Sequence, residues 1–236
     1  MNDLDLLQVY QFNNKVRCGT KHDGGYVIGE LDGNYDCYIS AGVGSEESFS
    51  RDFINKYNMN KANSFAFDGT IRRYPYSYTR NISFIRRNIN SFDNKKNTNL
   101  DFFICWYNRI FLKMDIEGGE YPWLLSLSEK QLGKFKQIVI EFHGITGNGW
   151  KCKYNDKMNC LRKLASTHYM IHAHGNNWAP VSNSIPDVIE LTYVNKNCFV
   201  DCPEFNTTRL PTQNLDYPNN PRKNDIDLNL YPFVTS

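Results

Sequence analysis

The segment spanning residues 36–57 constrains this chain most. A short apolar-rich run, residues 36–39, leads into Ser40-Ala41-Gly42-Val43-Gly44, and the following SEESFSRDFINKY carries Phe49, Phe53 and Tyr57 at helical spacing. This predicts a strand, a glycine turn and a helix. A second strand, residues 64–67, ends at Asp68, at about the βαβ spacing where an acidic residue meets a ribose.

The remaining pattern extends the same theme. Residues 82–89 alternate in part and are read as a third strand. Residues 111–114 form an apolar run that reaches Asp115, after which IEGGEYPWLLSL turns helical, with Trp123, Leu124 and Leu127 facing inward. QIVIEF is a further strand ending at His143, a helix near residues 158–166 leads to the strand HYMIHAH, and residues 188–194 supply the last strand. Strands alternating with helical spans predict a mostly parallel sheet in one α/β domain over residues 1–202. From Pro203 the chain is dominated by Pro, Asn and Asp, so residues 203–236 are expected to drape over that domain as a tail.

Composition removes several alternatives. A chain of 236 residues, 41% hydrophobic and 14% aromatic, can bury its own core. Its net charge of +2, with basic pairs scattered at Arg72-Arg73, Arg86-Arg87 and Lys95-Lys96, disfavours a nucleic-acid partner. Seven cysteines form an odd, widely spaced set that suggests neither a disulfide framework nor a zinc site of tight CxxC spacing. The acidic start MNDLDLLQVY has no extended apolar stretch, so neither a signal peptide nor a membrane anchor is expected, and a soluble cytoplasmic protein is.

Glycines in AGVGS let the backbone approach a ligand, and Asp68 can accept hydrogen bonds from both ribose hydroxyls of a nucleoside. The third glycine of a dinucleotide fingerprint would fall at Glu47, where a carboxylate would repel a pyrophosphate. A phosphate-free cofactor therefore suits the turn better, with Glu46 or Glu47 able to face a positive group. Ligands in open α/β sheets bind beyond the carboxyl edge, so Asp68, Asp115, His143, His172 and His174 are expected on one rim. Asp115 and Glu117 also have a plainer reading as caps of the next helix.

Beyond these patterns, RCGTKHDGGYVI, YISAGVGSEESF, FAFDGTI, LKMDIEGGEYPWL, IVIEFHGI, HAHGNN and IPDVIELTYV, in that order, resemble FkbM-type methyltransferases. The resemblance runs from about Arg17 to Asp227, including LPTQNLDYPNNP in the tail. It implies the Rossmann-like class I methyltransferase fold, a mostly parallel seven-stranded sheet with its last strand antiparallel. It also implies S-adenosylmethionine as cofactor, contacted at Ala41, Gly42, Val43, Gly44, Ser45, Asp68, Gly69 and Asp115, and it places Asp115, Glu117 and His143 in the active site. Ser40 and Gly69 depart from the acidic residue and the proline that many methyltransferases carry at these points.

The expected reaction is O-methylation of a sugar or another small polar acceptor. His143 is the first choice as general base because free imidazole titrates at about 6.5. Asp115 or Glu117 would orient it or bind the sugar. Asp23 and Tyr26 of the DGGY block, with His174, Asn176 and Asn177, are expected at the acceptor, although DGGY also reads as a turn joining two edge elements. Asp115, Glu117, His143, His172 and His174 offer donors to a divalent metal, to which the sequence does not commit. The rivals are an NAD(P)-dependent oxidoreductase and a binding module that keeps the fold without turnover.

Overall fold

The computed structural model describes residues 2–235; Met1 and Ser236, the outermost residues of the expected domain and tail, lie outside the described residues. In chain order the strands and helices are β1 (Lys15–Cys18), β2 (Tyr26–Gly29), β3 (Cys37–Ala41), α1 (Ser48–Lys56), β4 (Ser64–Phe67), β5 (Ser83–Ile85), β6 (Asn88–Ile89), β7 (Asn97–Thr98), α2 (Asp101–Trp106), β8 (Ile110–Met114), α3 (Glu120–Ser126), α4 (Glu129–Leu132), β9 (Phe135–His143), α5 (Tyr154–Thr167), β10 (His168–Gly175), β11 (Val181–Ser182), β12 (Ile185–Pro186) and β13 (Val188–Asn195). Seven of these strands form the central sheet in the order β10-β13-β9-β8-β3-β4-β5.

Neighbours from β9 through β5 pair parallel, while β13 runs antiparallel between β9 and β10. This is the Rossmann-like methyltransferase sheet, with the last strand reversed as the resemblance implies. The chain leaves β3 for β4 on one side and returns to β8 on the other. That switch opens a crevice above the carboxyl end of β3, where ligands of open α/β sheets bind.

Alternation along the strands fills two cores. Cys37, Ile39 and Ala41 of β3 join Leu112, Met114, Ile138 and Ile140 on the face covered by α3 and α5. Tyr38 points the other way, into a cluster with Phe49 and Phe53 of α1, Phe111, and Tyr26 and Ile28 of β2. Burying each such aromatic is worth roughly 1.5–3 kcal/mol, so this second core fixes α1 and the β1–β2 hairpin on one face.

The hairpin is also sewn to the sheet. Gly29 N donates to Gln137 Oε1 at 2.7 Å and Gln137 Nε2 donates back to the Gly29 carbonyl at 3.0 Å, while Thr192 Oγ1 donates to the Val27 carbonyl at 2.6 Å. Arg17 Nε and Nη2 hold the carbonyls of Thr20 and His22, which shapes the following turn. The DGGY block is thereby carried to the carboxyl edge of the sheet.

Two local expectations differ from the structure. The third central strand covers only residues 83–85, because the polar run Arg86-Arg87-Asn88 leaves the edge and Asn88 Oδ1 turns back to accept from Gly69 N at 3.0 Å. Helix α2, unread in the sequence, starts from Leu100 in the left-handed region at φ +67 and buries only Phe103 and Ile104. Six residues are too few to display helical periodicity. Past residue 202, Leu210, Leu228 and Phe233 enter the larger core, and Asn206 N donates to the Val9 carbonyl at 2.8 Å. All seven cysteines are free.

Candidate active site

The cofactor side is built mainly from backbone. Gly42 turns at φ +80, and a Cβ there would overlap the Asp115 carbonyl, so this position requires glycine. Gly42 N donates to the Phe67 carbonyl at 3.0 Å, and Asp115 N donates to the Ala41 carbonyl at 2.9 Å. These bonds lock the turn between the ends of β4 and β8. Asp68 completes the lock: its Oδ2 accepts from Val43 N and Gly44 N at 3.1 Å each, and its Oδ1 from Thr70 N at 2.7 Å. Burial alone would raise its pKa, but the Thr70, Gly44 and Val43 donors outweigh it and hold the carboxyl below its usual range.

Above this turn lies a cleft of about 660 Å³, within the size range of small-molecule sites, roughly 300–1,000 Å³. Of the cofactor residues expected from sequence, Gly42, Val43, Gly44, Ser45, Asp68 and Asp115 line it. Ala41 is buried at the end of β3, and Gly69 packs against Asn88, which itself lines the cleft. Glu46 also lines it, whereas Glu47 turns inward to Ser40 Oγ at 3.0 Å, Ser50 Oγ at 2.5 Å and the Tyr74 hydroxyl at 2.8 Å. Only the first of these two carboxylates can meet a positive ligand group.

The other half of the rim is built from side chains. His143, at the end of β9, has 7% of its side chain exposed, and its Nδ1 lies 3.3 Å from Glu120 Oε1. Its Nε2 faces Glu117 Oε2 at 3.5 Å and Asp115 Oδ1 at 3.9 Å. Burial disfavours the charged ring, but the Glu120 hydrogen bond and the charges of Glu120 and Asp115 prevail and raise its pKa to about 9. Asp115, Glu117 and His143 each present a donor atom within 4.8 Å of the others. An imidazolium there already supplies the positive charge these carboxylates face.

His172 and His174 stand apart from that group. His172 Nε2 meets Asp216 Oδ1 at 2.9 Å, and His174 is spanned by Glu190 at 3.1 Å on Nδ1 and Asp225 at 3.0 Å on Nε2. Two carboxylates on two ring nitrogens require both to be donors, which agrees with a pKa raised by Glu190 and Asp225 against the opposing effect of burial. Asn177 Nδ2 donates to the carbonyls of Asn220 and Asn224 at 3.0 and 3.1 Å. His174 and Asn177 thus hold the tail rather than open onto the cleft.

Asp23 does line the cleft, whereas Tyr26 is 1% exposed beneath it. The Tyr26 hydroxyl lies 3.2 Å from Asp115 Oδ2 and 3.1 Å from Glu141 Oε2, and Asn176 Nδ2 donates to Glu141 Oε1 at 2.7 Å.

Several site residues escaped the sequence reading. Lys113 lines the cleft and donates from Nζ to the Gly42 carbonyl at 2.9 Å; Glu141 sits 3% exposed behind Asp115. Each interrupts an otherwise apolar buried run, IFLKM and IVIEF, and that interruption is itself a signal, since a charge in a buried strand needs a partner or a purpose. Glu120 is fully buried and its Oε2 has no hydrogen-bond partner among the described residues. Trp150 packs on the His143 ring with centroids 5.0 Å apart, while remaining 43% exposed. Gly144 makes this contact possible, because a Cβ there would strike the indole.

Residues 11–177 match the family model described as the methyltransferase FkbM domain. No curated protein matches the chain. Among solved structures, a TehB-like SAM-dependent methyltransferase from Corynebacterium glutamicum is similar at 15% identity and a TM-score of 0.39, covering 70% of this chain and 83% of its own. A likeness that weak carries no functional argument.

Proposed function

This chain belongs to the FkbM methyltransferase family, and from that premise we propose that it transfers the methyl group of S-adenosylmethionine to a hydroxyl of a sugar or similar polar acceptor. The observation that carries the reading is the position of His143, at the same rim as the glycine-turn cleft and within 3.9 Å of the cleft residue Asp115. A sulfonium methyl is already electrophilic, so holding acceptor oxygen, methyl carbon and sulfur in line supplies most of the acceleration. A hydroxyl must also lose its proton. His143 takes that proton in its neutral form, and Asp115, Glu117 and Glu120 steady the imidazolium that results.

The cleft residues Gly42, Val43, Gly44 and Ser45 with Asp68 and Asn88 would hold the cofactor's nucleoside, and Glu46 would face its positive group, which would supply the methyl. Both oxygens of Asp68 already accept backbone N–H groups. Oδ1 also accepts the Thr70 hydroxyl at 2.6 Å, so the first task of Asp68 is to shape the turn, and a ribose hydroxyl would take its place there by displacing the Thr70 hydroxyl. Trp150, next to His143, offers an apolar wall to the C–H face of a sugar, while Asp23 and Glu117 offer oxygens to its hydroxyls. In this reading the Asp115, Glu117 and His143 group holds a proton rather than a cation, and turnover survives exhaustive chelation.

Incubation with labelled cofactor and a panel of nucleotide sugars and glycans, read by mass spectrometry, tests the proposal. An O-linked methyl on a carbohydrate is the expected product. Thermal stabilisation by NAD(P) and not by S-adenosylhomocysteine would overturn the cofactor assignment, and tight S-adenosylhomocysteine binding without transfer to any acceptor would make the protein a binding module.

A further inference from the structure

We infer that Glu141 is a neutral carboxylic acid in the resting protein and that, through Tyr26, it fixes which oxygen of Asp115 faces the methyl acceptor. The role at the acceptor rests on the O-methyltransferase reading; the protonation does not. The Tyr26 hydroxyl lies 3.1 Å from Glu141 Oε2 and 3.2 Å from Asp115 Oδ2, yet it has one proton and can donate to only one of them. With both carboxyls ionised, the second contact would set oxygen lone pairs against each other in a dry interior. One added proton removes the conflict, since a carboxyl O–H then donates to the phenol oxygen while the phenol O–H donates to the other carboxylate.

Burial decides which carboxyl holds the proton. Glu141 is 3% exposed on a central strand, whereas 27% of the Asp115 side chain is exposed at the cleft. Charge costs more at the drier position. Glu141 Oε1 already accepts from Asn176, leaving Oε2 for the proton. The charged groups facing Glu141 are the carboxylates of Asp115 and Glu190, with His143 on the positive side. Burial first, then Asp115 and Glu190, raise the Glu141 pKa well above the carboxylate range, and His143 opposes them only in part. The same surroundings keep Tyr26 a phenol. The hydrogen bonds then run from Glu141 through Tyr26 to Asp115 Oδ2. Asp115 Oδ1, which faces His143, is left free for the acceptor hydroxyl. Glu141 is accordingly a positioning residue, and it neither gains nor loses a proton during transfer.

Glu141→Gln tests this directly, because an amide can donate to Tyr26 and accept from Asn176 as a neutral carboxyl does. Infrared spectroscopy of the wild-type protein at neutral pH, without cofactor or acceptor, should show a buried carboxylic-acid band that persists in Glu47→Gln and is lost in Glu141→Gln. A neutral Glu141 also makes stability fall as pH rises above the ordinary 4.5 of an unfolded glutamate. Glu141→Gln should therefore lose part of that decline relative to wild type. Its turnover should stay within about threefold of wild type with an unchanged pH profile, while Tyr26→Phe, which cuts the chain, should lose about tenfold, or one hydrogen bond's worth near 1.4 kcal/mol. The absence of the band, or an inactive Glu141→Gln with wild-type thermal stability, would overturn the inference. Should the band be present while no hydroxyl acceptor is found, the functional proposal fails and the protonated Glu141 stands.

Discussion

Asp68 and Glu141 stand at the carboxyl edge of the same sheet, and the fold treats them in opposite ways. Asp68 is ringed by N–H donors and kept ionised, while Glu141 is surrounded by other carboxylates and kept from ionising. The Asp68 partners lie no more than 25 residues away, whereas Glu141 meets Tyr26 across 115 residues and Asn176 across 35. One half of the rim is a backbone cradle made by a single βαβ unit. The other is a side-chain network assembled from the hairpin, β8, β9 and the segment after β10. The cradle suits a cofactor shared by many reactions, and the network is where proton transfer and acceptor choice can be set.

If this division is right, variants in the two halves should separate chemistry from cofactor affinity. His143→Ala should cost the most, lowering turnover by about 10²–10⁴, as expected for loss of a general base. Calorimetric affinity for S-adenosylhomocysteine should not move. Equal losses in both measurements would erase the distinction between the halves.

Next in size is the pH dependence. With a pKa of about 9, His143 is mostly protonated at neutrality, and the neutral base grows about tenfold per pH unit until that value is approached. Turnover should rise from pH 7 and level near 9, and the rise should vanish in His143→Ala. Stability runs the opposite way. The folded pKa exceeds the 6.5 of the unfolded ring, so the contribution is complete below about 6.5 and is lost as pH climbs through about 9. Thermal melts of wild type and His143→Ala across that window should converge at the alkaline end.

Asp68→Ala probes the cradle. It frees the N–H groups of Val43, Gly44 and Thr70 from their shared acceptor, at about 1–3 kcal/mol for a buried donor left unpaired. Cofactor affinity should fall by about tenfold or more in calorimetry, while turnover at saturating cofactor changes little. A turnover defect that saturation cannot rescue would mean the turn also positions the acceptor.

The same contrast explains what could be read from sequence. AGVGS, its helix and Asp68 are local, so their spacing exposes both the strand order at the crevice and the cleft residues. His143 was legible as a histidine at a strand end, but its protonation was not, because that depends on Glu120 and Asp115, which meet it only in the folded sheet. His174 and Asn177 looked like acceptor ligands, yet the tail claims their polar atoms, and nothing near them in sequence announces Asp225 or Asn220. Lys113 and Glu141 left a trace, a charge within an apolar strand. That trace identifies a buried group without identifying its partner.

Trp150 gives the smallest and most selective test of the side-chain half. Its backbone lies in the left-handed region at φ +49, a strained choice for tryptophan, and the indole stays 43% exposed against the His143 ring. A bulky apolar side chain held in this way at the mouth of a site gains its contact when a ligand covers it. Trp150→Ala should therefore raise KM for a carbohydrate acceptor by about threefold to tenfold, in keeping with about 0.5–1.5 kcal/mol for an aromatic contact. The KM for cofactor should not change, because Trp150 does not line the cofactor cleft. A fall in kcat with unchanged acceptor KM would instead show that the indole acts on His143, restricting its ring rather than receiving the sugar.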